Sequence, residues 1–125
     1  MTLTDIENEL RNSPIPTAIS APKEGVILLM PRGQLDMQAT HFIQAAFDRL
    51  VEAGHLHIIL DMSSISYAAS MGIGAIISLN NAITMKGGKL IMMNVHPKVL
   101  DVFSLLGFTQ FLAIEDSLDN AIKVI

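Results

Sequence analysis

Ser70 is the side chain whose type and setting most suggest chemistry. It stands in Ala68-Ala69-Ser70-Met71-Gly72, which approximates the strand-to-helix elbow that presents a nucleophilic serine, with Ala in place of the first glycine. Two residues further on, Gly72-Ile73-Gly74 has the spacing that opens a phosphate-cradling loop. His41, His55, His57 and His96 complete the set. The chain has no cysteine, which removes thiolate nucleophiles, thiolate metal sites and disulfides together.

Most of these chemistries lack a partner residue. A serine hydrolase of the elbow type needs an acid and then a histidine after its serine. No Asp or Glu lies between Ser70 and His96, and no histidine follows His96. The third glycine of a dinucleotide fingerprint would fall on Ile77, and no lysine of the Walker kind follows. His55 and His57 share a face if both lie on a strand, but His41 and His96 have no local partner, so neither a metal nor a cofactor is expected. Two readings of Ser70 are left. It can cap a helix, its hydroxyl accepting the amide of Gly72 or Ile73. It can also lie in a contact surface, because no Asp, Glu, Lys, Arg or His occurs from 62 to 85. A cap explains a serine but not neutral neighbours, since an open helix start gains from acids. Ala68, Ala69, Met71, Gly72 and Ala75 are what close approach by another protein's backbone requires. The rival is that they are buried under a neighbouring loop.

The bulk composition narrows the class. A chain of 125 residues makes one domain with one substantial core. A net charge of −4 with no basic stretch argues against nucleic acid. The uncharged run 62–85 carries five serines, two asparagines and a threonine, too polar for membrane insertion. The amino terminus lacks the basic and apolar regions of a signal peptide, so a cytoplasmic protein is expected.

The elements that must position Ser70 follow from apolar periodicity. Residues 1–14 read as an N-terminal extension with a short helix over 4–12, Thr4 as its candidate cap, and one small face of Ile6 and Leu10 that buries little. Pro14 and Pro16 confine a strand over 15–21 to a sheet edge, and a turn over 22–25 pairs it with an apolar strand over 26–30. Asp36 caps a helix carrying Ala39, Ile43, Ala46, Phe47 and Leu50. A strand over 56–61, a helix to about 85 and a strand over 89–95 come next. Pro97 opens and Gly107 closes a further helix. A short strand over 111–114 and a helix capped by Asp116 or Ser117 end the chain. The order β-β-α-β-α-β-α-β-α predicts an α/β domain over 15–125, with a mixed, mostly parallel sheet of about five strands and about four helices.

Tyr67-Ala68-Ala69-Ser70-Met71-Gly72-Ile73-Gly74 after a strand, Gly33-Gln34-Leu35-Asp36 before the first domain helix, Gly87-Gly88-Lys89-Leu90, and Pro97 through Leu106-Gly107-Phe108 together resemble the STAS domain family. That family includes bacterial anti-sigma factor antagonists and the tails of sulphate transporters. The resemblance implies a non-enzymatic, STAS-like protein that binds a serine-kinase anti-sigma factor. The kinase would phosphorylate Ser70 to end binding, and a serine phosphatase would restore it. It implies a contact surface of Asp36, Ser66, Tyr67, Ala68, Ala69, Ser70, Met71, Gly72, Gly74 and Ala75, and leaves a weak homodimer open. Two positions depart from the family's antagonists, which usually carry Asp before the serine and Ser or Thr after it; here they are Ala69 and Met71. The alternative implied is a STAS scaffold or ligand-sensing subunit that is never phosphorylated, as in stressosomes or lipid-transport complexes.

Overall fold

Three strands with almost no polar residue form the centre of the molecule: β2 (Val26–Pro31), β4 (His57–Asp61) and β6 (Lys89–Met93). In this computed structural model, which describes residues 2–125, they run parallel to one another. β1 (Thr17–Lys23) adds antiparallel to β2, and β7 (Ala113–Glu115) adds parallel to β6, giving the order β1-β2-β4-β6-β7. The uninterrupted apolar character of the inner strands has a physical cause: both of their faces are covered. Ile27, Leu29, Ile58, Leu60, Leu90 and Met92 enter a large core on one face. Val26, Leu28, Ile59, Ile91 and Met93 enter a smaller one on the other.

The large core is closed by α2 (Met37–Glu52), α3 (Ser70–Met85) and α4 (Pro97–Leu105). Ala39, Ile43, Ala46, Phe47 and Leu50 of α2 form its buried stripe. The smaller core is covered by α5 (Leu118–Val124), through Ala121, Leu118 and Ile122. Ser117 is the cap of α5, its hydroxyl accepting the amide of Asn120. The α/β class and the mostly parallel five-stranded sheet expected from the sequence are found. Among the described residues, no helix is long and apolar enough to cross a membrane.

The structure corrects the reading of the amino terminus. α1 spans Leu3–Arg11, and its cap is Thr2 rather than Thr4. Thr2 and Asp5 form a reciprocal capping box, in which the hydroxyl of Thr2 accepts the Asp5 amide and Asp5 Oδ2 accepts the Thr2 amide. The helix also buries more than its small apolar face suggests. Ile6 and Leu10 are 2% and 3% exposed and belong to the large core. Each such burial is worth about 1.5–3 kcal/mol. Glu7 Oε2 also accepts the amide of Ile19 at 2.6 Å, which satisfies a backbone donor on the edge strand β1.

The structure adds two short strands, before α2 and before α3, that the sequence does not announce. β3 (Gly33–Leu35) and β5 (Ile65–Ala68) pair parallel in a separate two-stranded sheet, with Leu35 opposite Ala68 and Gln34 opposite Tyr67. Each strand has too few residues to show a period of its own, and the pairing is made across about thirty residues of chain.

Candidate functional site

Because β3 and β5 are parallel and each runs directly into a helix, α2 and α3 begin side by side at one end of the molecule. The Ala69 amide donates to the Leu35 carbonyl at 2.9 Å, tying the residue before α3 to the strand before α2. One turn later Gly72 lies against the same residue. A β-carbon on Gly72 would fall 2.7 Å from Leu35 Cβ, 2.9 Å from Leu35 O and 3.3 Å from Thr40 Oγ1. Asp36 caps α2 as expected, with Oδ1 accepting the Ala39 amide at 2.9 Å. Thr40, itself buried, donates its hydroxyl to the Asp36 carbonyl at 2.6 Å.

Ser70 does not cap α3. The extended residue at the helix start is Ala69, with φ −74° and ψ 166°, and Ser70 is already the first helical residue. The bond from Ala69 to Leu35 draws the chain in one residue earlier than a serine cap requires. The cap position therefore falls on a side chain without an oxygen, no side-chain cap bond forms, and the first turn holds no acid. Ser70 is exposed and makes no hydrogen bond through its hydroxyl among the described residues. His96, the one histidine that follows Ser70 in the sequence, is engaged elsewhere: its Nδ1 accepts the Lys98 amide at the start of α4.

The expected contact residues divide into two groups. Ser66, Tyr67, Ser70, Met71 and Gly74 are exposed, Asp36 is exposed at the cap of α2, and Ala69 is half-buried. Ala68, Gly72 and Ala75 are buried, so they do not present a surface. Ala68 pairs with Leu35 in the small sheet, and Gly72 and Ala75 lie on the inward side of α3. Burial, the rival reading of these small residues, holds for those three. What they do is let α3 sit close against its neighbours.

Two residues absent from the expected set stand at the same end. Met37, the first residue of α2, is 65% exposed, and Gln34 is exposed opposite Tyr67. With Tyr67 at 51% and Met71 at 45%, the surface is apolar and largely uncharged. Met37 had a legible signal, because it lies off the Ala39, Ile43, Ala46, Phe47 and Leu50 stripe. Gln34 had none without the pairing of β3 and β5. Among the described residues, no three of His, Asp and Glu are close enough to hold a metal ion.

An exposed serine at the first turn of a helix, on a largely uncharged surface and above a mixed sheet, is the arrangement to set beside known proteins. The STAS domain profile matches residues 19–121, and the chain belongs to the STAS domain family. The anti-sigma F factor antagonist of Paenibacillus polymyxa is 25% identical over 99 residues, spanning 78% of this chain and 85% of that protein. The crystal structure of TM1081 from Thermotoga maritima superposes with a TM-score of 0.80 at 25% identity, covering 89% of this chain and 93% of that one. The unphosphorylated anti-sigma factor antagonist SpoIIAA gives a TM-score of 0.68 at 19% identity over 83% of this chain and 91% of its own. A phosphorylated form of SpoIIAA, a Bacillus cell fate determinant, shares the fold at a TM-score of 0.69 and 20% identity, over 86% of this chain and 96% of its own.

Proposed function

We propose that this chain is an anti-sigma factor antagonist, a cytoplasmic binding protein rather than an enzyme. It binds a serine-kinase anti-sigma factor through the surface at the starts of α2 and α3. Phosphorylation of Ser70 by that kinase ends the binding, and a serine phosphatase restores it. The observation that carries this reading is the exposure of Ser70 at the first position of α3 on a surface of Tyr67, Met71 and Met37.

Elementary electrostatics supports such a switch. The first amides of a helix have no partner within it, and the dipole favours negative charge, so a phosphate there is tolerated without refolding. The same charge, nearly two units, falls on a surface where Tyr67, Met71 and Met37 offer it no counter-ion. Desolvating it costs several kcal/mol, which lowers affinity by several powers of ten. The test is co-purification of the partner from the native cell, followed by calorimetry with Ser70→Ala and Ser70→Asp. Retained binding by the first and loss by the second is expected; equal affinities would overturn the switch.

A specific observation favours a second reading. The helix start that usually carries Asp in the family's antagonists is here Ala69, and Met71 follows the serine. A chain that keeps the contact surface but is never phosphorylated would act as a fixed STAS scaffold or ligand-sensing subunit. Mass spectrometry of the protein from its own cell separates the two, since the scaffold reading requires Ser70 to stay unmodified in every growth condition.

A further inference from the structure

The carboxyl ends of β2 and β4 meet the end of α1 around a crevice of about 530 Å³. This volume suits a small polar metabolite. Its walls carry four ionisable groups, Arg11, Arg32, Glu7 and Asp61, together with Ser63 and Ser64. Their commitments are unequal. Glu7 holds the Ile19 amide, and Asp61 Oδ1 holds the Ser63 amide at 2.9 Å. Arg11 and Arg32 are exposed, and neither has a carboxylate within ion-pair distance among the described residues. The contrast is Arg49, which is paired with Glu9 in the groove between α1 and α2. The crevice thus offers two uncommitted guanidinium groups, two serine hydroxyls, and one carboxylate oxygen each on Asp61 and Glu7 that the backbone amides do not use.

We propose that this crevice binds a small phosphate monoester with a hydroxyl-bearing body, its phosphate held by Arg11 and Arg32. Guanidinium is the side-chain group best matched to a phosphate, since its planar donors meet two oxygens at once. A purely anionic ligand would be opposed by Asp61. A ligand whose body supplies hydroxyl donors uses the second Asp61 oxygen as an acceptor instead, so the acid becomes a selector for a polyol. No residue lining the crevice belongs to the contact surface around Ser70, and nothing in the proposed switch requires the site.

The test is an amide-resolved titration of the full chain with ribose 5-phosphate, with inorganic phosphate and ribose as separate arms. Saturable shifts at Arg32, Ser63 and Ser64 are expected with ribose 5-phosphate, weaker ones with phosphate, and none with ribose. Arg11→Gln and Arg32→Gln should each weaken binding about tenfold, the worth of one charge-assisted hydrogen bond. Both residues are exposed, so unchanged spectra in the absence of ligand establish that the variants fold. Arg49→Gln should leave affinity unchanged, and Asp61→Asn should narrow the gap between ribose 5-phosphate and phosphate. The proposal is overturned by an absence of saturation up to about 10 mM, beyond which the binding energy falls below about 3 kcal/mol. It is equally overturned if Arg49→Gln weakens binding as much as the other two, or if the shifts centre on the first turn of α3.

Discussion

Gly72 and Leu35 lie in contact so close that a methyl group on Gly72 would come within 2.7 Å of Leu35 Cβ. The start of α3 is seated on the strand that leads into α2, and the surface around Ser70 is a joint product of both helix starts. Gly74, two residues on, faces nothing within 4 Å.

The two glycines should therefore respond in opposite senses to the same substitution. Gly72→Ala forces apart Leu35 and the first turn of α3, and should destabilise the fold by about 1–3 kcal/mol. Gly74→Ala meets open space in a helix and should stabilise by up to about 1 kcal/mol. Urea denaturation measures both. A neutral Gly72→Ala would mean that the two helix starts are not held together as described.

Ser70 contributes no cap, so its hydroxyl is not expected to support the fold. Ser70→Ala should change stability by no more than about 0.5 kcal/mol. Ser70→Asp should raise it by about 0.3–1 kcal/mol through the dipole of α3. A loss near 1 kcal/mol in Ser70→Ala would show that the serine caps the helix in solution after all.

Ala69 occupies a cap position with extended backbone and no side-chain oxygen. Ala69→Asp should therefore stabilise the chain by about 1 kcal/mol by accepting a first-turn amide. The same variant bears on the kinase, because it supplies the acid that the family's antagonists usually carry there. Thermal unfolding reads the first effect, and phosphate transfer by the cognate kinase reads the second. Faster phosphorylation of the variant is the outcome that the switch hypothesis predicts.

Removing the apolar face of α1 should be costly for a segment that lies before the matched family region. Leu10→Ala is expected to destabilise by about 2–5 kcal/mol, because the side chain is fully enclosed in the large core. A change under 1 kcal/mol would return α1 to the status of an appendage, on the scale set by surface substitutions.

The start of α1 also carries a proton linkage. The Thr2 amide, and then the Thr2 hydroxyl, hold the Asp5 carboxyl below its usual value. A lowered folded value means that this support is present above the ordinary carboxylate range and disappears as pH falls through the folded value. Amide exchange in α1 should thus accelerate relative to β4 on acidification, and Asp5→Asn should abolish that difference. Equal acceleration in both elements would contradict it.

The sequence by itself determined the α/β class, the order of the main strands and helices, and the place of Ser70 at the head of a helix. Those features rest on local signals: the uninterrupted runs of β2, β4 and β6, the Asp36 and Ser117 caps, and Pro97 at the opening of α4. Only the tertiary structure decided what depends on distant partners. The β3–β5 ladder joins two short segments that have no period to read. The bond from Ala69 to Leu35 moves the cap off Ser70. The packing of α1 buries Ile6 and Leu10, which as a sequence are only two apolar residues one turn apart. Small residues near Ser70 were ambiguous for the same reason: Ala68, Gly72 and Ala75 suit either a partner's backbone or this chain's own, and composition cannot say which arrives. In the folded chain Leu35 and Thr40 take that place at Gly72, which leaves Ser66, Tyr67, Ser70, Met71 and Gly74 facing outward.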